Sequence, residues 1–70
     1  MRKITAQDIE AGRAVTKDGK DYLIRSGKEG SVSEYFFYVS PTTARFCESE
    51  YKDEFAESLN EEGYRIKDEN

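Results

Sequence analysis

The strongest pattern in the chain is an apolar stripe with helical period near the C-terminus. Tyr51, Phe55 and Leu59 fall at positions i, i+4 and i+8, which share one face of an α-helix. Ser49 is a typical capping residue before this run, and the glycine after residue 62 suits the left-handed end of a helix. The pattern predicts one main amphipathic helix over about 49–62.

Shorter runs upstream have the composition and alternation of β-strands. An Asp-Gly pair at 18–19 separates 13–16 from 21–26, which predicts a hairpin because its tight turn requires positive φ. A looser, glycine-containing turn at 26–31 leads to the most apolar run of the chain. We interpret that run, 32–39, as the central strand of a sheet.

The segment that follows Ser40 supports two interpretations. In one, a helix begins at Pro41 and continues to Glu62, since proline suits the first turn of a helix. In the other, 43–47 is a third antiparallel strand and the helix begins only with Ser49 as its cap. We favour the strand, because the side chains of this segment alternate in polarity.

The two ends of the chain add smaller elements. Thr5 and Asp8 have the spacing of a capping box, which predicts one or two helical turns over 5–11. Alternation over 64–67 predicts a last short strand. Residues 68–70 are expected to fray, as chain ends often do.

Together these elements predict one α+β domain over residues 1–70. It contains a small antiparallel sheet of three to five strands, with the main amphipathic helix (about 49–62) packed on one face. The chain is 36 % hydrophobic and 37 % charged. A domain of this size buries only about 60 % of the surface that its unfolded chain exposes, so we expect a thin core.

Composition restricts the chemistry available to the protein. The chain has no histidine and a single cysteine, Cys47. Histidine is the commonest general base and zinc ligand, so we expect a non-enzymatic protein with no catalytic residues, no metal site and no cofactor. No disulfide forms within the chain, and no apolar run has the length of a signal peptide or a membrane span. We therefore expect a cytoplasmic protein without membrane contact.

Charge is distributed unevenly along the chain. Residues 1–46 carry eight Lys/Arg and six Asp/Glu, whereas 47–70 carry three and nine, which together give the net charge of −4. The excess lies on the main helix, opposite its apolar stripe: Glu50, Glu54, Glu57 and Glu61, with Asp53 beside them. Such a stripe is either a solvated face or a surface that docks on a basic groove, as a nucleic-acid mimic does.

The aromatic strand predicts a second surface. Tyr35, Phe37 and Val39 alternate with Phe36 and Tyr38, so aromatic side chains point to both faces of the sheet. One helix covers one face only. The other face is covered by the N-terminal segment, by a second copy of the chain or by a partner.

We therefore expect a small acidic protein-binding domain whose partner is another protein with a basic surface. By analogy, domains of this composition suit accessory proteins of phages or mobile elements, some of which inhibit nucleic-acid-binding enzymes. The alternatives are a homodimeric assembly module that pairs through its aromatic strand, and a weak single-stranded nucleic-acid binder. The net negative charge makes nucleic acid the less expected partner. The candidate partner-binding residues are Glu50, Asp53, Glu54, Glu57, Glu61, Tyr35, Phe36 and Tyr38.

Overall fold

The computed structural model describes residues 1–67, so the expected fraying of 68–70 lies outside the described residues. Five strands form an antiparallel sheet: β1 Val15–Lys17, β2 Lys20–Glu29, β3 Val32–Ser40, β4 Thr43–Glu48 and β5 Arg65–Ile66. Their order across the sheet is β4-β3-β2-β1-β5. The helices are α1 Ala6–Ala11 and α2 Lys52–Glu61, and a 3-10 turn, Ser49–Tyr51, precedes α2. The predicted α+β architecture is confirmed.

The short N-terminal helix has the predicted capping box. The backbone amide of Thr5 donates to the Asp8 carboxylate over 2.8 Å, and the amide of Asp8 points back at the Thr5 hydroxyl over 3.4 Å. Gly12 ends the helix in the left-handed conformation, with φ of 66°. The helix is short because both of its ends are determined within eight residues of sequence.

The β1–β2 and β2–β3 hairpins differ in how well the local sequence predicts their turns. Asp18 and Gly19 both have positive φ, as the predicted tight turn requires. The turn predicted at 26–31 is present but shorter, because β2 continues through Glu29 and only two residues connect it to β3. Gly27 lies inside the strand, and the ring of Phe36 covers it so closely that a Cβ there would lie 3.1 Å from Cε2 of Phe36.

The positions of two elements need correction. β3 is not the central strand: β2 occupies the centre of the sheet, and β3 is hydrogen-bonded between β2 and β4. The favoured strand at 43–47 is confirmed as β4. Ser49, however, makes no capping hydrogen bond, because the chain first forms the 3-10 turn and α2 begins at Lys52.

Both helices pack on the same face of the sheet. Phe55, Ala56 and Leu59 of α2 and Ile9 of α1 are buried in one cluster with Phe37 of β3. The N-terminal segment therefore does not cover the opposite face. Both helices thus cover the face to which Tyr35 and Phe37 point, and residues 1–67 leave the face of Phe36 and Tyr38 uncovered.

Polar contacts help to hold α2 in position and also determine where it ends. The Asn60 side chain accepts from the amide of Ile4 over 2.8 Å and donates to its carbonyl over 2.9 Å. At the C-terminal end, the amide of Tyr64 donates to the Leu59 carbonyl over 3.0 Å around Gly63, whose φ is 98°. The helix is thus fixed at its end as well as along its buried stripe.

Candidate partner-binding surfaces

The first candidate surface is the outward side of the main helix. Its members are all exposed and we call them the acidic face: Glu50, Asp53, Glu54, Glu57 and Glu61. At 100° per residue, the four that lie in α2 point away from the buried stripe of Phe55 and Leu59. Glu50 lies in the preceding 3-10 turn. The structure therefore brings the five predicted carboxylates together on one side.

Within residues 1–67, none of these carboxylates has a Lys or Arg nitrogen within 4.0 Å. Carboxylates elsewhere do form ion pairs: Asp8 with Arg2 and Arg13, Glu10 with Lys52, Asp21 with Lys67, and Glu62 with Arg45. Lys52 is the one cation in α2, and its Nζ lies 3.6 Å from Glu10 of α1. Lys52 therefore pairs with α1 and does not compensate the negative charge of the acidic face.

The helix dipole explains part of this arrangement. Asp53 and Glu54 lie in the first turn of α2, where the partial positive charge of the helix N-terminus favours carboxylates. Glu57 and Glu61 have no such support, and the last turn of α2 contains no basic residue. Like charges four residues apart destabilise a helix by a few tenths of a kcal/mol. The C-terminal half of the acidic face is therefore not explained by helix stability.

The second candidate surface is the side of the sheet that the helices leave open. We call it the bare sheet face, and its apolar members are Leu23, Val32, Phe36, Tyr38, Ala44 and Phe46. The exposed fractions of its large side chains are 49 % for Leu23, 43 % for Val32, 37 % for Tyr38 and 63 % for Phe46. The ladder places Phe46 directly opposite Phe36, with ring centroids 6.3 Å apart. Five of them occupy two neighbouring rows of the ladder and form one patch across β2, β3 and β4, whereas Glu34 separates Val32 from the rest.

Charged side chains border this patch. Arg25 lies directly opposite Phe36 on the β2 side, and Glu34 of β3 lies directly opposite Glu48 of β4. At the other end, an open depression of about 930 Å³ includes Leu23, Arg25 and Tyr38 in its lining and continues to Pro41. The surface is thus apolar in the middle and polar at its rim, as protein interfaces commonly are.

The placement of the aromatic residues corrects the predicted set. Tyr35 is only 8 % exposed and belongs to the core beneath α2, so it is not available to a partner. Phe36 and Tyr38 lie on the bare sheet face, as their alternation with Tyr35 requires. Tyr51 is 49 % exposed and is not part of the buried stripe, because it lies in the 3-10 turn.

The sequence analysis missed Leu23, Val32 and Phe46 as surface residues. Each lies in a strand, where every second side chain points to the same face, so alternation alone indicates which positions point outward. What was absent was the register that joins these outward positions into one patch. Only the ladder shows that Phe46 lies beside Phe36 and Leu23 beside Tyr38.

Asp8 is the most strongly perturbed acid in the described chain, and it is structural. Arg2 donates to its two oxygens over 2.7 and 2.6 Å, and Arg13 Nε lies 3.4 Å away. The hydrogen bonds from Arg2, with those from Thr5, lower the pKa of Asp8 to about 2 although burial opposes this. A carboxylate held ionised in this way anchors the N-terminal strand segment to α1.

Cys47 is half-buried beside the core, and burial raises the pKa of its thiol, which disfavours the reactive thiolate. Within residues 1–67 no group of three or more His, Cys, Asp or Glu side chains is placed to hold a metal ion.

Comparisons with protein-family models, with curated proteins and with solved structures find no match for this chain. In the part of the chain that the structure describes, no helix has the length and apolar character needed to cross a bilayer. The two surfaces are therefore interpreted from their own chemistry.

Proposed function

We propose that this chain is a non-enzymatic protein-binding domain whose acidic face docks on a basic surface of another protein. The observation that carries the proposal is the uncompensated charge of that face. In the described chain, cations lie within 4.0 Å of Asp8, Glu10, Asp21 and Glu62 but not of the five acidic-face carboxylates. Uniform charge on one rigid surface accelerates association with a partner of opposite charge.

The rigidity of α2 supports the same proposal. Leu59 is fully buried, and the Asn60 side chain is bonded to Ile4, so the carboxylates on the opposite side keep a fixed spacing. The four glutamates from Glu50 to Glu61 extend over roughly 16 Å, with a charge about every 5 Å. Duplex DNA carries a phosphate every ~3.4 Å along each strand. The acidic face therefore resembles a short stretch of nucleic-acid backbone in charge density.

The likeness of the acidic face to a nucleic-acid backbone indicates what kind of partner it would bind. A basic groove that binds nucleic acid would accept the acidic face in its place, and the chain would act as an inhibitor of a nucleic-acid-binding enzyme, as phage and mobile-element accessory proteins do. The single cysteine supports a cytoplasmic location for this activity. Direct nucleic-acid binding is less well supported, because Arg2, Arg13 and Arg45 already pair with carboxylates of the chain.

The test compares two triple variants that remove the same charge from different places. One carries Glu54→Gln, Glu57→Gln and Glu61→Gln on the acidic face. The matched control carries Glu10→Gln, Asp18→Asn and Asp21→Asn, three exposed acids that belong neither to the acidic face nor to the apolar patch across β2, β3 and β4. Asparagine tolerates the positive φ of position 18.

Each tagged protein is used to capture partners from lysate of the source organism or its host, with elution in salt steps and identification by mass spectrometry. We expect the wild type and the control to retain the same basic protein, released by moderate salt and by competing duplex DNA. The acidic-face variant should lose it while its thermal stability stays equal or rises. Equal capture by the acidic-face variant would contradict the proposal and leave the glutamates as a solubility feature.

A further inference from the structure

The bare sheet face is an interface that the acidic-face proposal does not use. The helices and the N-terminal segment pack on the opposite side of the sheet, and within residues 1–67 nothing covers Phe46 or Leu23. Contiguous exposed apolar patches with polar rims mark interaction sites. We propose that the occupant is a second copy of this chain, packed face to face about a two-fold axis that runs along β3.

Such an axis makes the bare sheet face complementary to itself. It exchanges the two flanks of β3, so that β2 of one copy faces β4 of the other. The flanking side chains share three rows of the ladder: Leu23 with Ala44, Arg25 with Phe46, and Gly27 with Glu48. Across the interface each pair of flanking positions therefore sets a large residue against a small one, or a cation against an aromatic ring. The β3 residues between them, Tyr38, Phe36 and Glu34, lie on the axis and face their own copies.

Charge acts on this arrangement in two opposite ways. Arg25 has no carboxylate within 4.0 Å in the described part of its own chain. Glu34 and Glu48 face each other directly, and like charges in that position destabilise a sheet. In the dimer, Arg25 lies against Phe46 and beside Glu48 of the second copy. Each Arg25 is thus attracted to the second copy, whereas Glu34 lies on the axis and faces its own copy, so only the Arg25 contacts favour pairing.

The area of the bare sheet face limits how strong such a dimer can be. Three strands about 4.8 Å apart, with rows of side chains roughly 6.6 Å apart, give a footprint of about 15 by 25 Å. Two sheets with strands aligned to within about 30° pack such faces about 10 Å apart. Over two copies this footprint amounts to about 750 Å², below the ~1,200 Å² of stable complexes, so we expect a weak dimer that forms only at micromolar or higher concentrations.

The first experiment is sedimentation equilibrium of the full chain from about 5 to 500 μM, with a pair of matched variants. Phe46→Lys and Tyr51→Lys each replace a half-exposed aromatic residue with a lysine, the first on the bare sheet face and the second beside the helix. We expect Phe46→Lys to weaken the dimer at least tenfold and Tyr51→Lys to change it less than twofold. Circular dichroism checks that both variants fold.

The second experiment tests the proposed axis by exchanging charges. Arg25→Glu alone sets two carboxylates against each other across the axis, and Glu48→Arg alone sets two guanidinium groups against each other. Each variant should therefore form a weaker homodimer than the wild type. Mixed in equal amounts, they place an arginine against a glutamate in both contacts, so native mass spectrometry should show a heterodimer in excess of either homodimer.

Three results would overturn the proposal. The wild type remains monomeric up to about 500 μM; Tyr51→Lys weakens the dimer as much as Phe46→Lys does; or the charge-exchange pair forms no preferred heterodimer. A monomer whose bare sheet face captures a different protein would assign the face to that partner instead. The acidic-face triple variant should dimerise like the wild type, so failure of this proposal and failure of the proposed function are separable.

Discussion

Replacing Asp8 with asparagine tests whether an ionised, largely buried carboxylate holds the N-terminal segment to the domain. Asp8 is 2 % exposed and accepts hydrogen bonds from Arg2 and from the Thr5 amide. Asparagine has nearly the shape of a protonated aspartate but cannot accept from all of these donors. The variant therefore imitates the protonated state of the wild type at every pH.

The magnitude follows from the pKa of Asp8, which falls from 3.8 to about 2 on folding. The difference between these values corresponds to about 2 kcal/mol. Because the Arg2 side chain is 54 % exposed, solvent screens part of the attraction, and we expect about 1–2 kcal/mol. A domain of this length has roughly 4–10 kcal/mol of stability in total, so the loss is a substantial fraction.

The sign follows from the direction of the pKa shift. A carboxylate whose pKa is lowered by folding stabilises the native state fully above the unfolded pKa, and this contribution is lost as the pH falls through the folded pKa. We expect Asp8→Asn to lower the free energy of unfolding by about 1–2 kcal/mol at pH 7, and this deficit to shrink between about pH 4 and pH 2.

The assay is urea unfolding followed by far-ultraviolet circular dichroism at pH 7, 5, 4, 3 and 2.5. Asp21→Asn is the control, because Lys67 also lowers the pKa of Asp21, but that pair is exposed and should matter little. A deficit of equal size at pH 7 and pH 2.5 would refute the charge argument and assign the loss to packing. No deficit at pH 7 would refute the anchoring role altogether.

Two further predictions concern the core and the turns. Gly12→Ala should cost about 1–2 kcal/mol in urea unfolding, because φ is 66° and the new Cβ would lie 3.2 Å from the Ile24 carbonyl oxygen. Gly63→Ala should lower the free energy of unfolding by less, since a Cβ there would lie 3.8 Å from its nearest neighbour, Cε of Lys17. An equal loss in both variants would show that the positive φ alone, and not the close contact, causes it. Leu59→Ala should cost about 2–5 kcal/mol, because Leu59 is fully buried. Leu23→Ala should cost below about 1 kcal/mol, and similar values for the two leucines would contradict the assigned faces.

The elements that sequence predicts well are those determined by a few neighbouring residues. The capping box of Thr5 and Asp8 and the Asp18-Gly19 turn depend only on local backbone geometry, and the structure confirms both. The glycine-rich turn at 26–31 is predicted too long for a non-local reason. Gly27 is retained in β2 by the ring of Phe36 on the neighbouring strand, which local turn propensity does not contain.

The surfaces depend on relations between distant residues, and these limit what sequence shows. Alternation assigns Tyr35 and Phe36 to opposite faces but does not say which face the helices cover. That choice is made by contacts such as Phe37 with Phe55 and Asn60 with Ile4, the latter 56 positions apart. The acidic face needed no such information, because one helical period places its members together.

The two proposed surfaces lie on opposite sides of one sheet, and this has a consequence for how they work together. Face-to-face pairing through β2, β3 and β4 leaves both copies of α2 on the outside of a four-layered particle. With helices about 10 Å thick and sheets about 10 Å apart, the two acidic faces lie roughly 40 Å apart and point in opposite directions. A single short basic groove therefore meets only one of them. Dimerisation adds no affinity for that groove, but it allows one dimer to hold two basic partners, which distinguishes a bridging protein from a simple competitor.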